Sequence, residues 1–164
     1  VAASFSLSGT LRIVPQWTDD LNTTTVTDSA TVLLPLTLSN GSGDNQANAF
    51  WKDVRTVAAS SSDVFNIEAG LPLSVFGGTG SLRIEISKVR LFYIRNLSQT
   101  VTLSVVLQDA EETPLPPEAV LLMYWPKGNS QFSAANAGDV NVINGGAAAA
   151  NYEVVVAGVQ QVAP

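Results

Sequence analysis

The chain has 164 residues, 46% of them apolar and only 13% charged, with a net charge of −6. It contains neither Cys nor His, which excludes disulfides, thiol nucleophiles, Cys/His metal centres and His-based catalytic triads. The acidic balance argues against nonspecific nucleic-acid binding, and no apolar run approaches the roughly 20 residues of a membrane helix.

Residues 4–14, "SFSLSGTLRIV", alternate cleanly, with Phe5, Leu7, Leu11 and Ile13 on one side. That period of two predicts a half-buried strand whose apolar side is core. "TDDLNTTT" reads as a polar connection. Val32, Leu34, Leu36 and Leu38 share the next apolar face, and Pro35 on the opposite face predicts an edge position or a bulge. Residues 40–49, "NGSGDNQANA", form a loop by composition. "FWKDVRTVAASSSDVFNIEAG" predicts two short strands, and "LPLSVFGGTGS" a Pro/Gly corner. "GGTG" at 77–80 lacks the Lys-Ser/Thr of a phosphate loop.

Residues 81–107 are the most strand-like segment and hold four of the eight cations, Arg83, Lys88, Arg90 and Arg95. Leu82, Ile84 and Ile86 share one parity; after Ser87 the apolar parity flips to Val89, Leu91 and Tyr93. Such a flip predicts a bulge, a bend or a break. Alternation then places Lys88 and Arg90 together on an outward face. Val101, Leu103, Val105 and Leu107 begin another strand with a core face. "QDAEETPLPPE" is an acidic, Pro-rich loop. "EAVLLMYW" is apolar on both faces, which predicts a central or covered strand. "DVNVI" and "YEVVVAGVQ" complete the pattern.

Eight to ten short strands with dense turn chemistry predict an all-β fold, a jelly-roll-like antiparallel sandwich formed as a single domain over residues 1–164. A seven-stranded immunoglobulin-like sandwich fits less well, because its Cys/Trp/Cys pattern is missing.

Carboxylate pairs at Asp19/Asp20 and Asp109/Glu111/Glu112 could in principle serve glycoside hydrolysis, yet both lie in loops where charge clusters are ordinarily solvated. "SNGSGDN" offers calcium only one carboxylate, Asp44. No enzyme activity, metal or cofactor is expected. Trp17, Trp51 and Trp125 could stack on sugar rings, as in a carbohydrate-binding module. Burial is the competing use of so much apolar area. The cations Lys88, Arg90 and Arg95 have two readings: guarding a strand edge against aggregation, or meeting Glu111 and Glu112 of a neighbouring copy.

The blocks "FSLSGTLRIV", "DLNTTTVTDSATV", "NQANAFWKDVRTVAASSSDVFNI", "KVRLFYIRNLS" and "NYEVVVAGV" occur in this order across most of the chain. Together the set resembles a group of small virion proteins encoded by tailed bacteriophages. The resemblance implies a structural role on the virion: a capsid decoration or cement protein that binds the major capsid protein or another virion protein, or a fibre component, with a carbohydrate-binding module at the tail tip or fibre as the alternative. It carries over no catalytic residue. A homo-oligomer, with a trimer favoured, is the expected state, with no nucleic-acid or membrane partner. The expected location is the virion, reached from the host cytoplasm, since no basic-then-apolar signal pattern opens the sequence.

Overall fold

A computed structural model describes residues 6–13, 16–21, 24–29, 32–72, 83–107, 111–127 and 139–160. Every regular element among them is a strand. Eight strands build a sandwich: β6 (Ala49–Val57), β7 (Ser61–Asn66), β10 (Ile86–Asn96), β11 (Leu103–Leu107), β12 (Thr113–Leu115), β13 (Val120–Tyr124), β14 (Asp139–Asn144) and β15 (Ala150–Gln160). One sheet runs β13-β10-β15-β6 and the other β12-β11-β14-β7.

The pairings nest along the sequence. β6 pairs with β15, β7 with β14, β10 with β13 and β11 with β12, all antiparallel. The chain is thus one long folded-back ribbon rolled around a core. The β10–β15 and β11–β14 pairings complete each sheet. This is the jelly roll that the turn spacing predicts.

Alternation supplies the core. Leu103 and Val105 of β11, Val140 and Val142 of β14, and Tyr152, Val154 and Val156 of β15 are fully buried in one cluster. Trp51 of β6 and Phe65 of β7 meet between the sheets with ring centroids 5.6 Å apart. The expected core residues Val101, Leu103 and Val105 are therefore core. β13 is an edge strand, but a covered one. Leu121 and Met123 pack on the main core, while Leu122 and Tyr124 pack on a second cluster outside the sheet.

The parity flip in β10 is a pair of irregularities, between Ile86 and Lys88 and between Val89 and Leu91. Gly158 lies opposite Val89. A Cβ there would overlap the Lys88 carbonyl oxygen and press on Ile86, so the bulged backbone is admitted by the missing side chain.

The remaining strands are β1 (Leu7–Ile13), β2 (Gln16–Leu21), β3 (Thr24–Ser29), β4 (Val32–Asn40), β5 (Gln46–Ala47), β8 (Leu71–Pro72) and β9 (Arg83–Ile84). β1 pairs with β4 and β2 with β3, and the two ladders share one register: 7 with 38, 13 with 32, 16 with 29 and 21 with 24. They form successive parts of a single hairpin ribbon. The segment expected to be a polar connection is thus β2 and the start of β3. Leu7, Leu11 and Ile13 belong to this ribbon and not to either sandwich sheet. Phe5 lies outside the described residues. Pro35 pairs with Thr10 on one side, and β5 joins β4 only at Ser39 and Asn40. Pro35 thus holds the edge position its missing N–H demands.

Candidate interaction surfaces

The four-loop end. Residues 58–60, 97–102, 116–119 and 145–149 connect strands at one end of the sandwich. Two buried asparagines tie them down. Asn96 donates through Nδ2 to the carbonyls of Val101, Leu115 and Pro116 at 2.8, 2.9 and 3.1 Å, and its Oδ1 accepts from Ser98 N–H at 2.9 Å. Asn144 donates to Val57, Ala58 and Ala148 carbonyls at 3.3, 3.0 and 2.8 Å and accepts from Gly146 N–H at 2.9 Å. Each side chain satisfies loop backbone that water would otherwise have to serve.

The loops also bond one another. Ser60 N–H donates to Gly146 at 3.0 Å, Glu118 N–H to Ser98 at 3.2 Å and Leu97 N–H to Asn151 at 2.9 Å. Ser60 and Glu118 both sit at positive φ, 50° and 60°, a conformation costly for non-glycine residues and held here by those bonds. The outcome is a rigid platform mostly of Ala, Ser, Gly, Pro and Thr, with Leu97, Gln99 and Val101, in which Glu118 is the one charged residue. The small residues Ala58, Ala59, Thr100, Ala147 and Ala148 are exposed on it beside Leu97 and Gln99. Sequence reading treated these stretches as plain turns. The signal available was an Asn at the end of each strand followed by small residues.

The cationic strand. Lys88 and Arg95 are exposed, but Arg90 is 1% exposed. This corrects its expected outward position. Arg90 is the extra residue of the bulge between Val89 and Leu91, so strict alternation fails there and its side chain is buried against the loop that carries Gly43. Its Nη2 donates to Gly43 O at 3.0 Å, while Nε and Nη1 have no bonded partner. Glu111 and Glu112 are exposed ahead of β12 on the opposite sheet. None of the described ion pairs joins them to Lys88, Arg90 or Arg95.

The tryptophans. Trp51 is 2% exposed and its Nε1 donates to Pro72 O at 2.9 Å, so it offers no stacking face. Trp125 packs partly buried against the main core. Trp17 stands on β2 opposite Asp28. Trp51 and Trp125 thus belong to the sandwich and Trp17 to the ribbon.

Titratable clusters. The one dense set of described charges joins the two sheets. Arg55 of β6 grips Asp63 of β7 with Nε–Oδ2 and Nη2–Oδ1 both 2.7 Å, and Tyr152 of β15 donates to Asp63 Oδ2 at 2.8 Å. Burial alone would raise the Asp63 carboxyl; the Arg55 and Tyr152 bonds outweigh it and hold the acid below the usual carboxylate range. Burial and Asp63 together push the Tyr152 hydroxyl far up. Each member is thereby locked in its ordinary charge state, which suits a clasp and not proton transfer. No group of three metal-ligating side chains occurs among the described residues. "GGTG" and Asp109 lie outside the described residues, and Asp19 and Asp20 fall within β2 rather than a loop.

The outer sheet face. Beyond the core, Leu38 of β4 and Ala47 of β5 pack on Leu91 and Ala157, on the outward side of the β13-β10-β15-β6 sheet. Tyr124 anchors that cover: its hydroxyl donates to Thr37 O at 2.9 Å.

Comparison with protein-family models, with curated proteins and with solved structures returned no match.

Proposed function

We propose that this chain is a non-enzymatic structural protein of a bacteriophage virion, a homo-oligomeric decoration or cement protein that binds and stabilises the capsid surface. The observation that carries this reading is the four-loop platform. It is braced by Asn96 and Asn144, strained at Ser60 and Glu118, and almost free of charge. A surface of this kind loses little side-chain entropy on docking, because most of its exposed residues are short. It also carries almost no charge to desolvate. The order of sequence blocks resembling small phage virion proteins adds to the reading, and jelly rolls are a frequent capsid architecture; both are analogies.

The test uses purified particles and the isolated chain. Mass spectrometry of particles should find the protein at high copy number, and added chain should bind stripped particles. Ala59→Glu and Ala148→Glu, each at an exposed platform position, should weaken binding at least about tenfold, since a buried unpaired charge costs more than about 1.4 kcal/mol. Their melting temperatures should be unchanged. Binding that ignores both substitutions would remove the platform from the contact. Absence from particles would remove the virion reading.

A further inference from the structure

An antiparallel sheet facing water is ordinarily polar on that side. The outward face of β13-β10-β15-β6 is mixed, with apolar positions beside charged ones. Register lines up Leu122, Tyr93, Val155 and Lys52 in one row and Val120, Arg95, Glu153 and Val54 in the next. The cover from Leu38 and Ala47 closes over Leu91 and Ala157, and Tyr93, Leu122, Tyr124 and Val155 pack half-buried against it. Val54 and Val120 remain 57% and 51% exposed, and Phe50 43%.

The ribbon supplies matching chemistry. Leu38, 1% exposed, seats its root on this very face, and Leu36 two positions on is half-buried. Beyond them the register sets Leu34 opposite Leu11 and Val32 opposite Ile13, so apolar positions continue in pairs away from the body. From Leu38 to Thr24 the ribbon spans about 46 Å at roughly 3.3 Å per residue. The longest sandwich strands have 11 residues, or about 36 Å. A two-stranded ribbon is marginal in water unless a further surface covers it. Its β2–β3 part carries Asp19, Asp20 and Asp28 and no cation, whereas the sheet side offers exposed Lys88 and Arg95, beside a Lys52 that is paired with Glu153.

We infer that the β1–β4 ribbon of one copy lies across the Val54–Val120 face of a second copy. Three features select a second copy over an unrelated protein. The face already accepts a leucine from β4 of its own chain, so the contact extends an existing one. The ribbon's acidic part and the face's cations are complementary. Identical chains also supply ribbon and face in equal number, so reciprocal exchange or a ring leaves none unmatched. The inference deepens the homo-oligomer part of the proposed function and stands apart from the capsid contact.

The experiment uses the full chain. Light scattering across a dilution series should show an oligomer whose midpoint shifts at least tenfold to higher concentration in Val54→Glu/Val120→Glu. Val64→Glu, an equally exposed site on the other sheet, should not shift it. Zero-length carbodiimide coupling of a mixture of isotopically light and heavy chains should yield mixed-isotope links from Asp19, Asp20 or Asp28 to Lys52 or Lys88. A monomeric wild type, links within single chains only, or equal effects of the two valine variants would each overturn the inference. A monomer that still binds particles would reject the ribbon contact and leave the capsid reading. A ribbon-linked oligomer that ignores particles would do the reverse.

Discussion

Arg55 and Asp63 hold the two sheets of the sandwich together at one edge. The guanidinium grips the carboxylate with two parallel 2.7 Å bonds while stacking 5.5 Å above the Phe65 ring. Asp63→Asn would leave the Arg55 charge half-buried with a weakened partner and should cost about 2 kcal/mol, the scale of a charge-assisted hydrogen bond. The folded carboxyl titrates below its unfolded value, which is near pH 3.9. Its contribution is therefore present above that pH and is lost as pH falls through the folded value. Urea unfolding of the wild type and Asp63→Asn at pH 7 and pH 3 should give a difference that shrinks at the lower pH. A constant difference would show that the clasp does not titrate as described.

Leu103→Ala should destabilise by about 2 to 5 kcal/mol, from lost transfer energy and the cavity left between sheets. Leu103 is 0% exposed on the central strand β11. Val64→Ala on the exposed face should stay within about 0.5 kcal/mol. Chemical denaturation of both variants checks the contrast.

Much of this core was legible, and the failures have separate causes. Strict alternation along β11 placed Leu103 and Val105 inward correctly, because that strand pairs without bulges. Along β10 the same rule found the irregularity but misplaced Arg90, since a bulge shifts the face of one residue and parity cannot say which. The ribbon was misread for a different reason. Alternation reports that one side of a strand is apolar and not which sheet the strand joins, so it does not set β1 apart from the sandwich strands. The Thr-rich β2–β3 hairpin lacks the apolar rhythm altogether. The loop platform stayed hidden because its bonds join residues as distant as Ser60 and Gly146.

Asn144→Asp should be worse than Asn144→Ala. Alanine leaves the Val57, Ala58 and Ala148 carbonyls without a donor, at a cost of about 1 to 3 kcal/mol. Aspartate keeps the shape but turns a carboxylate toward those same oxygens. Hydrogen exchange should show faster opening of residues 58–60 and 145–149 in both variants, with Asp the faster. Equal protection in all three proteins would deny the asparagine its bracing role.

Gly158→Ala should destabilise by about 1 to 3 kcal/mol, the usual range for forced overpacking. The added methyl would meet the Lys88 backbone, which cannot rotate away as a side chain could. Ala157→Gly, a neighbouring change that removes atoms, should leave the bulge in place. Amide chemical shifts of residues 86–91 distinguish the outcomes: they should move in Gly158→Ala and hold in Ala157→Gly.

The two neighbouring cations of β10 should respond in opposite ways to charge reversal. Lys88 is exposed, so Lys88→Glu combined with Arg95→Glu should leave folding intact. If these cations face the acidic ribbon of a neighbour, the double variant should weaken self-association by a few fold per site. Added salt should weaken the wild type in the same sense, because an exposed pair contributes at most about 1 kcal/mol and is screened. Arg90 is different in kind. It is fully buried, with one bond to the Gly43 carbonyl and two nitrogens unbonded. Arg90→Glu would bury a carboxylate beside a carbonyl oxygen and should unfold the protein rather than disassemble it. Arg90→Met keeps the length and removes the charge, and apolar replacement of poorly paired buried charges is often neutral or stabilising. Thermal unfolding of Arg90→Met should therefore lie at or above the wild type. A loss of more than about 2 kcal/mol would mean that the guanidinium has a strong partner in solution, and would return Arg90 to the set of contact residues.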